Sequence, residues 1–263
     1  MDPDALTHSY MPGVESLHEV SLRIQRGEFV ALMGQNGSGK TTLVKHLVGL
    51  IKPPAGKVRV DGTDVAERTV SQVSETIGLV FQNPDHQIFS ETVADEVAFG
   101  PRNRGMSDDA VKDAVAKSLE VVGLTGKEEA DPFALTKGER QRLAVASTLA
   151  MDPDALILDE PTTGLDYDDQ LSMMALLRDL NAQGRTIIIV THSMWVVAEY
   201  AHRAVAMAGG KVLADGPVRE VFADADVLAR AALAPPEITQ LGLRLGGATL
   251  SVDELAACLE KDG

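Results

Sequence analysis

The sequence contains a single cysteine, few aromatic residues and no long apolar run. Cys258 has no second cysteine with which to form a disulfide or a zinc site, which fits a reducing cytoplasm. The longest apolar runs, "ALIL" from Ala155 and "IIIV" from Ile187, are far shorter than the roughly 20 residues that cross a bilayer. The start, "MDPDALTHSY", lacks the basic and apolar regions of a secretory signal. We therefore expect a cytoplasmic chain without a membrane span.

Basic residues are also in the minority. The chain has 24 Lys and Arg against 39 Asp and Glu, a net charge of -15. Such a surface repels nucleic-acid phosphates and anionic lipid headgroups outside any local basic patch. We expect no nucleic-acid partner, and we expect any membrane attachment to pass through another protein.

What is present is an alternation of apolar runs and helical patterns. "EFVALMG" precedes "KTTLVKHLVGL", "DALILDE" precedes "DDQLSMMALLRDLNAQG", and "RTIIIVTH" precedes "SMWVVAEYA". Continuous apolar strands joined by helices are typical of a parallel sheet covered on both faces. The 44% hydrophobic content of 263 residues is enough for its core. The predicted fold class is α/β.

Two segments depart from this alternation. Residues from about 83 to 150 have no strand pattern and are predicted to be helical, with one helix opening at Ser107. An Ala- and Leu-rich tail from about Ala223 holds a break at Pro235-Pro236 and two short helical patterns. We predict a main domain over 1–222, with a helical subdomain at about 83–150, and a carboxy-terminal extension over 223–263.

A glycine-rich stretch, "GQNGSGKTT", matches G-x-x-x-x-G-K-[ST] between an apolar strand and a helix. Such a loop curls its backbone N–H groups around phosphates, while Lys40 reaches the terminal phosphates and the Thr41 hydroxyl reaches Mg²⁺. The alternative is a chance glycine-rich turn. The motif predicts a nucleoside triphosphate site with Mg²⁺. Its residues are Gly34, Asn36, Gly37, Ser38, Gly39, Lys40, Thr41 and Thr42.

A second motif, "ALILDEP", ends an apolar strand with two acids. Asp159 can hold Mg²⁺ through water, and Glu160 can accept a proton from an attacking water. The alternative is a strand end with two solvated acids. Beside a phosphate loop, the motif predicts a hydrolase.

Three further residues carry weaker signals, each with a structural alternative. Gln82 ends a strand and can bind Mg²⁺ and orient water, or be a polar strand end. His192 also ends a strand and can donate to a γ-phosphate, or be a satisfied histidine. Tyr10 can stack on a purine, or pack on the sheet.

The order of these motifs carries more information than any of them alone. The motifs follow the order found in ATP-binding-cassette ATPases: the phosphate loop, Gln82, "LTKGE", "ALILDEPTTGLD" and His192. The chain resembles that family from roughly Tyr10 to Gly216. The resemblance implies a parallel-sheet core with an antiparallel amino-terminal part, a helical signature subdomain and a small helical extension. It also implies roles: Tyr10 for adenine stacking, Gln82 for the Q-loop, Leu165 and Asp166 for the D-loop, and His192 as the switch histidine.

In this resemblance "LTKGE" stands where the family has its L-S-G-G-Q signature. Thr136 and Gly138 keep a hydroxyl and a close backbone N–H for a γ-phosphate. Lys137 and Glu139 depart from the pattern, Glu139 by placing a charge where the family has a neutral amide. Ser193 follows the switch histidine, where aspartate is frequent in the family. Family members pair head to tail, which implies that Thr136 and Gly138 cap the ATP of a second ATPase subunit, identical or paralogous.

Two segments resemble a subgroup, the ATPases of prokaryotic energy-coupling-factor importers for vitamins and transition metals. They are "NPDHQIFSETVADEVAFGP" after Gln82, and "PPEITQLGLRLG" with "LSVDELAACL" in the tail. The resemblance implies a groove at Phe81 to Phe99 for a transmembrane coupling subunit, a separate substrate-binding membrane subunit, a tail that joins two ATPases, and a peripheral location at the cytoplasmic face of the cell membrane. The structural alternatives are an entry to the helical region and a surface amphipathic helix pair.

The leading functional prediction is therefore an Mg-ATP hydrolase that powers an importer. A soluble ATP-gated clamp or scaffold of the same family is the alternative, although the charge of -15 argues against a nucleic-acid clamp. A small-molecule kinase is disfavoured, because Glu160, Gln82 and His192 together suit activation of water. Few residues precede Tyr10, so we expect either a shortened first strand of the family or a misplaced start codon.

Overall fold

The computed structural model describes residues 1–11 and 13–261. They fall into two compact units, Met1–Arg68 with Ile188–Gly263, and Thr69–Ile187. Among the described residues, no helix has both the length and the apolar character needed to cross a membrane.

The first part of the first unit is mostly β-structure. In chain order it contains β1 (Asp2–Met11), β2 (Val14–Val20), β3 (Phe29–Met33), α1 (Lys40–Leu47), β4 (Ala55–Val60) and β5 (Thr63–Asp64). Four of these strands form an antiparallel sheet in the order β2-β1-β4-β5. Leu6 lies opposite Val20 in this sheet, and both side chains are buried, as is Leu17. The antiparallel amino-terminal part is thereby confirmed, and its first strand has ten residues.

The second unit is mainly helical. It contains α2 (Val70–Ser74), β6 (Ile77–Val80), α3 (Val93–Asn103), α4 (Asp108–Val121), α5 (Lys137–Leu149), β7 (Ala155–Asp159) and α6 (Tyr167–Ala182). Strands β6 and β7 pair in parallel, with Ile77 opposite Ala155. Between them, in residues 83–150, all of which are described, no strand forms. Helix α4 begins after Ser107, whose hydroxyl accepts a hydrogen bond from the Ala110 N–H, as the sequence predicts.

The chain then returns to the first unit. The elements are β8 (Thr186–Thr191), in which the boundary between the units falls, α7 (Met194–Tyr200), β9 (Arg203–Ala208), β10 (Lys211–Pro217), α8 (Val218–Ala223), α9 (Ala225–Ala231), α10 (Glu237–Arg244) and α11 (Val252–Lys261). Strand β3 pairs in parallel with β9, and β9 pairs antiparallel with β10. All five residues of β3 are buried, as expected for a strand covered on both faces. The α/β class is confirmed.

The tail holds one helix more than the sequence predicted. Helices α10 and α11 match the two predicted patterns, and α10 starts after Pro236. Helix α9 is additional: the Asp224 carboxylate caps it by accepting from the Val227 N–H, and Val227, Leu228 and Ala231 are buried. Its apolar positions are too few to stand out from the Ala-rich composition around them. The domain boundaries at 222 and 223 stay a prediction.

Candidate nucleotide-binding site

The phosphate loop lies in the first unit, between the end of β3 and the start of α1. Gly34 and Gly39 have φ values of +151° and +103°, a region that other residues rarely adopt. A Cβ on Gly39 would lie 2.6 Å from the Ser16 carbonyl oxygen, and one on Gly34 would collide with the Met207 carbonyl. Both positions therefore require glycine, which brings the loop backbone close to strands β2 and β9.

Lys40 is folded over this loop. Its ammonium donates to the carbonyl oxygens of Gly34 at 2.7 Å and Gln35 at 2.9 Å, and to the Ser38 hydroxyl at 3.2 Å, and the residue is buried. Helix α1 has no acidic side chain in its first turn and no side-chain cap at Gly39. Its positive dipole end and the Lys40 charge thus act together on the space that the loop encloses. This donor set fits a polyphosphate.

The other loop residues divide by exposure. Thr41 is exposed and presents its hydroxyl at the first turn of α1, whereas Ser38 and Thr42 are buried. Asn36 and Gly37 are exposed at the tip of the loop. All of the predicted loop residues are therefore brought together, as one contiguous turn of chain.

Tyr10 lies on β1 with 56% of its surface exposed. Its ring makes an edge-to-face contact with the His8 ring, with centroids 4.6 Å apart, and the Lys45 ammonium lies 6.0 Å from the Tyr10 centroid. A half-exposed ring held from one side can stack a planar base on its other side. Neither His8 nor Lys45 could be recognised as a partner of Tyr10 from the sequence, because both contacts join residues that are not adjacent in a motif.

His8 in turn contacts His46 of α1, with ring centroids 4.8 Å apart. Burial, followed by the neighbouring His8, lowers the pKa of His46 to about 4, although the Ile51 carbonyl acts in the opposite direction. His46 is therefore neutral at physiological pH. The same unit places His192, exposed, directly after β8.

In the second unit, Asp159 ends β7 and Glu160 follows it. Glu160 is buried and has a φ of +47°, an unusual conformation for a residue with a side chain, and its carboxylate accepts a hydrogen bond of 3.3 Å from the Thr163 hydroxyl. Backbone strain of this kind costs about 1 kcal/mol and is frequent at functional sites. Thr163 was missed as a partner, although it stands in the quoted "DEPTTGLD".

Gln82 and the signature line a common cavity of about 420 Å³. Its wall consists of Gln82, Asn83, Pro84, Asp85, Lys137, Arg140 and Thr163. The second unit thus brings Gln82 and Lys137 together with Thr163, the hydrogen-bond partner of Glu160. Arg140 pairs with Asp85 at 2.9 Å across this cavity, which fixes the loop after Gln82 to helix α5.

The signature residues form the start of α5. The Thr136 hydroxyl accepts from the Glu139 N–H at 3.2 Å, and the Glu139 carboxylate accepts from the Thr136 N–H at 3.0 Å, a reciprocal capping box. This box is readable in the sequence as T-x-x-E and was overlooked. Gly138 is buried, and a Cβ there would collide with the Asp169 carboxylate, which binds Arg142 at 3.1 Å. Asp166 caps α6 by accepting from the Asp169 N–H at 2.8 Å.

The predicted Mg²⁺ ligands are divided between the units. Thr41 belongs to the first unit, and Gln82 and Asp159 belong to the second. Among the described residues, no group of three His, Cys, Asp or Glu side chains can hold a metal ion. Mg²⁺ in nucleotide sites is usually held by one or two protein ligands together with phosphate oxygens. That the three residues form one site stays a prediction.

Comparisons with known proteins agree with this geometry. The family model described as ABC transporter matches residues 17–163. A putative ABC transporter ATP-binding protein of Caldanaerobacter subterraneus is 52% identical over 96% of this chain, which spans 44% of that relative's length. The energy-coupling factor transporter ATP-binding protein EcfA2 of Clostridium perfringens is 41% identical, with 95% of this chain and 90% of the relative covered.

A solved structure extends the agreement to the whole fold. CbiO1 of Clostridium perfringens, described as part of the ABC transporter complex cbiONQ, has a TM-score of 0.80 and 32% identity, with 98% of both chains covered. The match includes the antiparallel amino-terminal sheet, the helical region and the tail. The chain therefore belongs to the ABC transporter family and carries its ATP-binding cassette.

Proposed function

We propose that this chain is the Mg-ATP-hydrolysing subunit that powers a prokaryotic energy-coupling-factor importer for a vitamin or a transition-metal ion. The relative named EcfA2 and the neighbour from the cbiONQ complex support the subgroup. The substrate is selected by a separate membrane subunit, and this chain works as a peripheral protein at the cytoplasmic face of the membrane.

In the first unit the residues bind the nucleotide. Lys40 and the backbone N–H groups of the loop bind the β- and γ-phosphates, in the space that the ammonium now spans with its bonds to Gly34 and Gln35. Tyr10 stacks on the adenine ring with its exposed face. His192 donates a hydrogen bond to the terminal phosphate.

In the second unit the residues act on water. Glu160 accepts the proton of the attacking water. The Thr163 hydroxyl, 3.3 Å from the Glu160 carboxylate, orients that carboxylate. Gln82 orients the same water. Thr41, Gln82 and Asp159 would hold Mg²⁺, which would supply neutralisation of charge on the phosphate oxygens. Thr136, Gly138 and Asp166 meet the nucleotide of a second ATPase subunit.

The observation that carries the coupling role is the attachment of an exposed aromatic pair to the signature helix. Phe89 and Phe99 pack edge to face with centroids 4.7 Å apart, and their surfaces are 61% and 46% exposed. The buried carboxylate of Glu96 accepts from the Phe89 and Ser90 N–H groups, each at 3.0 Å. These bonds hold Phe89 against helix α3.

The same segment is bound to α5 at two further points. Gln87 accepts from the Phe81 N–H and donates to the Ala144 carbonyl at 3.0 Å, while Asp85 pairs with Arg140. A force applied to the aromatic pair is thus transmitted to the helix that begins at the signature, and the reverse also holds. A transmembrane coupling subunit that binds Phe89 and Phe99 would move with ATP-driven closure of the ATPase pair.

The experiment that tests the proposal compares the parent chain with Glu160→Gln. We expect the parent to hydrolyse Mg-ATP, and we expect the variant to bind ATP but to accumulate as a closed pair, measured by ATPase assay and light scattering. Glu129→Gln, which changes an exposed acid elsewhere in the second unit, is the matched control and should behave as the parent. Hydrolysis by Glu160→Gln at the parental rate would exclude Glu160 as the base.

A second measurement separates the importer from the ATP-gated clamp. The chain is expressed in a prokaryotic host with its neighbouring genes and recovered by an affinity tag from detergent-solubilised membranes. Recovery of a hydrophobic membrane subunit that depends on Phe89 and Phe99 supports the importer. Recovery of active ATPase pairs without any membrane subunit would favour the clamp.

A further inference from the structure

We propose that His8 is a positioning residue of the nucleotide site: it links helix α1 to Tyr10 and fixes the ring on which the base stacks. The inference rests on the proposed function, since it takes Tyr10 as the stacking residue. It concerns a contact inside the first unit, and it needs no second subunit.

The chain of contacts starts on α1, the helix whose first residue is Lys40. His46 lies on this helix, almost fully buried, and its Nδ1 is 3.0 Å from the Ile51 carbonyl oxygen. Because a carbonyl only accepts, Nδ1 carries the proton and Nε2 has a lone pair. The His46 ring is therefore fixed in orientation by a backbone bond.

His8 connects this ring to Tyr10. Its centroid is 4.8 Å from that of His46 and 4.6 Å from that of Tyr10, and both contacts are edge to face. Its backbone carbonyl accepts from the Ser16 hydroxyl at 3.1 Å, which fixes the strand at this point. Three rings thus form a continuous row from α1 to the exposed face of Tyr10.

The ring nitrogens in this row indicate that His8 acts on Tyr10 through ring packing. Both ring nitrogens of His8, and Nε2 of His46, are buried and have no hydrogen-bond partner among the described residues. Buried nitrogens without partners destabilise the folded chain. His8 therefore contributes ring packing to Tyr10, and neither of its ring nitrogens bonds to a described residue.

Lys45 adds a second contact to the Tyr10 ring. It neighbours His46 on α1, and its ammonium lies 6.0 Å from the Tyr10 centroid. Tyr10 is thus held by the His8 ring and by the nearby Lys45 ammonium, while more than half of its surface stays exposed. A ring confined in this way loses less freedom when a base binds, which raises the affinity for the base.

The test compares His8→Ala, His8→Phe and Tyr10→Ala in the otherwise unchanged chain. In His8→Ala we expect the KM for ATP to rise about threefold to tenfold with kcat unchanged, the range that an aromatic pair contact is worth. His8→Phe keeps the ring and removes the unpaired nitrogens, so we expect the parental KM and a higher Tm.

Two controls separate positioning from general damage. Inorganic tripolyphosphate, which has no base, should bind His8→Ala and the parent equally, measured by calorimetry. In the Tyr10→Ala background, His8→Ala should leave the KM for ATP unchanged.

Each of three results would overturn the inference. They are an unchanged KM for ATP in His8→Ala, a rise of KM in the Tyr10→Ala background as large as that in the parent, and a loss of tripolyphosphate binding as large as the loss of ATP binding. Failure of the proposed function looks different. If the parent chain itself bound no ATP, the function and the inference would fall together.

Discussion

The ammonium of Lys127 forms an ion pair with the carboxylate of Glu139, the residue that departs from the signature pattern by carrying a charge. The other carboxylate oxygen of Glu139 accepts from the Thr136 N–H at 3.0 Å. The charge that the sequence places at the signature is thus balanced within the second unit, and the side chain is turned back towards the start of its own helix. Glu139 serves the folding of α5, and Thr136 and Lys137 remain exposed.

We predict that Lys127→Met destabilises the chain by about 1 kcal/mol at pH 7, because it leaves Glu139 without its cation. The hydrogen bond from Lys127, then that from the Thr136 N–H, lowers the pKa of Glu139 below its usual value of 4.5. A lowered carboxyl pKa stabilises the folded state above the unfolded value, and this contribution disappears as the pH falls through the folded value. The difference in Tm between parent and variant should therefore be about 2 °C at pH 7 and shrink below pH 4.5.

The matched control is Lys112→Met. Lys112 also has an acidic neighbour, Asp109 at 3.9 Å, but both side chains are highly exposed, so the pair contributes little. We expect no measurable shift of Tm in this variant. A pH-independent loss in Lys127→Met would show that the lysine acts by packing and not by its charge.

A second prediction concerns the phosphate loop. Gly39→Ala places a Cβ 2.6 Å from the Ser16 carbonyl at a φ of +103°, so it meets both strain and a backbone collision. We expect a loss of about 2–3 kcal/mol in unfolding free energy and at least a tenfold weaker ATP affinity, since the loop must move.

Gly62→Ala provides the comparison, because Gly62 has a φ of +78° and open space around it. Only the backbone strain of about 1 kcal/mol applies there, and ATP affinity should not change. Chemical unfolding and equilibrium ATP binding measure the two quantities. Equal effects of both substitutions would mean that the collision at Ser16 is relieved at no cost.

The parts of the site that the sequence predicts are those made by contiguous residues. Gly34 to Gly39 form the loop and Lys40 to Thr42 begin α1, so the motif is one contiguous stretch of chain. Asp159 ends β7 and Glu160 follows it, after four buried apolar residues. Helix α4 was predicted from its first turn, in which Ser107 is followed by two acids.

The parts that the sequence does not predict are contacts between distant residues. His8 and His46 are separated by 38 positions, and Lys127 reaches Glu139 only because the chain folds back before α5. Neither pair has a periodic pattern, and a lone histidine or lysine in a polar strand or loop has many possible partners. Helix α9 was not predicted for a different reason: it is short, and its few large apolar residues stand among alanines.

A third prediction tests the aromatic docking surface. Phe89→Asp places a charge on a residue that is 61% exposed and held by backbone bonds to Glu96, so folding should be unaffected. We expect uptake of the transported compound to be abolished while ATP binding stays at the parental level, because the docking partner would have to bury an unpaired charge.

Val70→Asp is the control, because Val70 is 45% exposed in the same unit and lies outside this segment. Uptake by membrane vesicles and ATP binding by the purified chain are measured in parallel. Equal losses of uptake and ATP binding in Phe89→Asp would count against a docking role for the aromatic pair.

The last prediction concerns Lys137, the other departure from the signature. Lys137 is the first residue of α5, where a positive charge is unfavourable because it opposes the helix dipole. Its ammonium lies so close to Gly164 that a Cβ on Gly164 would collide with the ammonium. The side chain has no ion pair within the described residues and lines the cavity with Gln82 and Thr163. A cation kept at an unfavourable helix end is well placed to meet an anion, and in the proposed pair that anion is the γ-phosphate of the second subunit.

We predict that Lys137→Gln raises the unfolding free energy by about 0.5 kcal/mol and weakens ATP-dependent pairing in the Glu160→Gln background severalfold. The weakening should diminish at high salt, because the charge interaction is screened, and Lys112→Gln should change neither quantity. Thermal unfolding and sedimentation at two salt concentrations measure both effects. If Lys137→Gln paired as tightly as its parent at low salt, the lysine would act only within its own subunit, against Gly164.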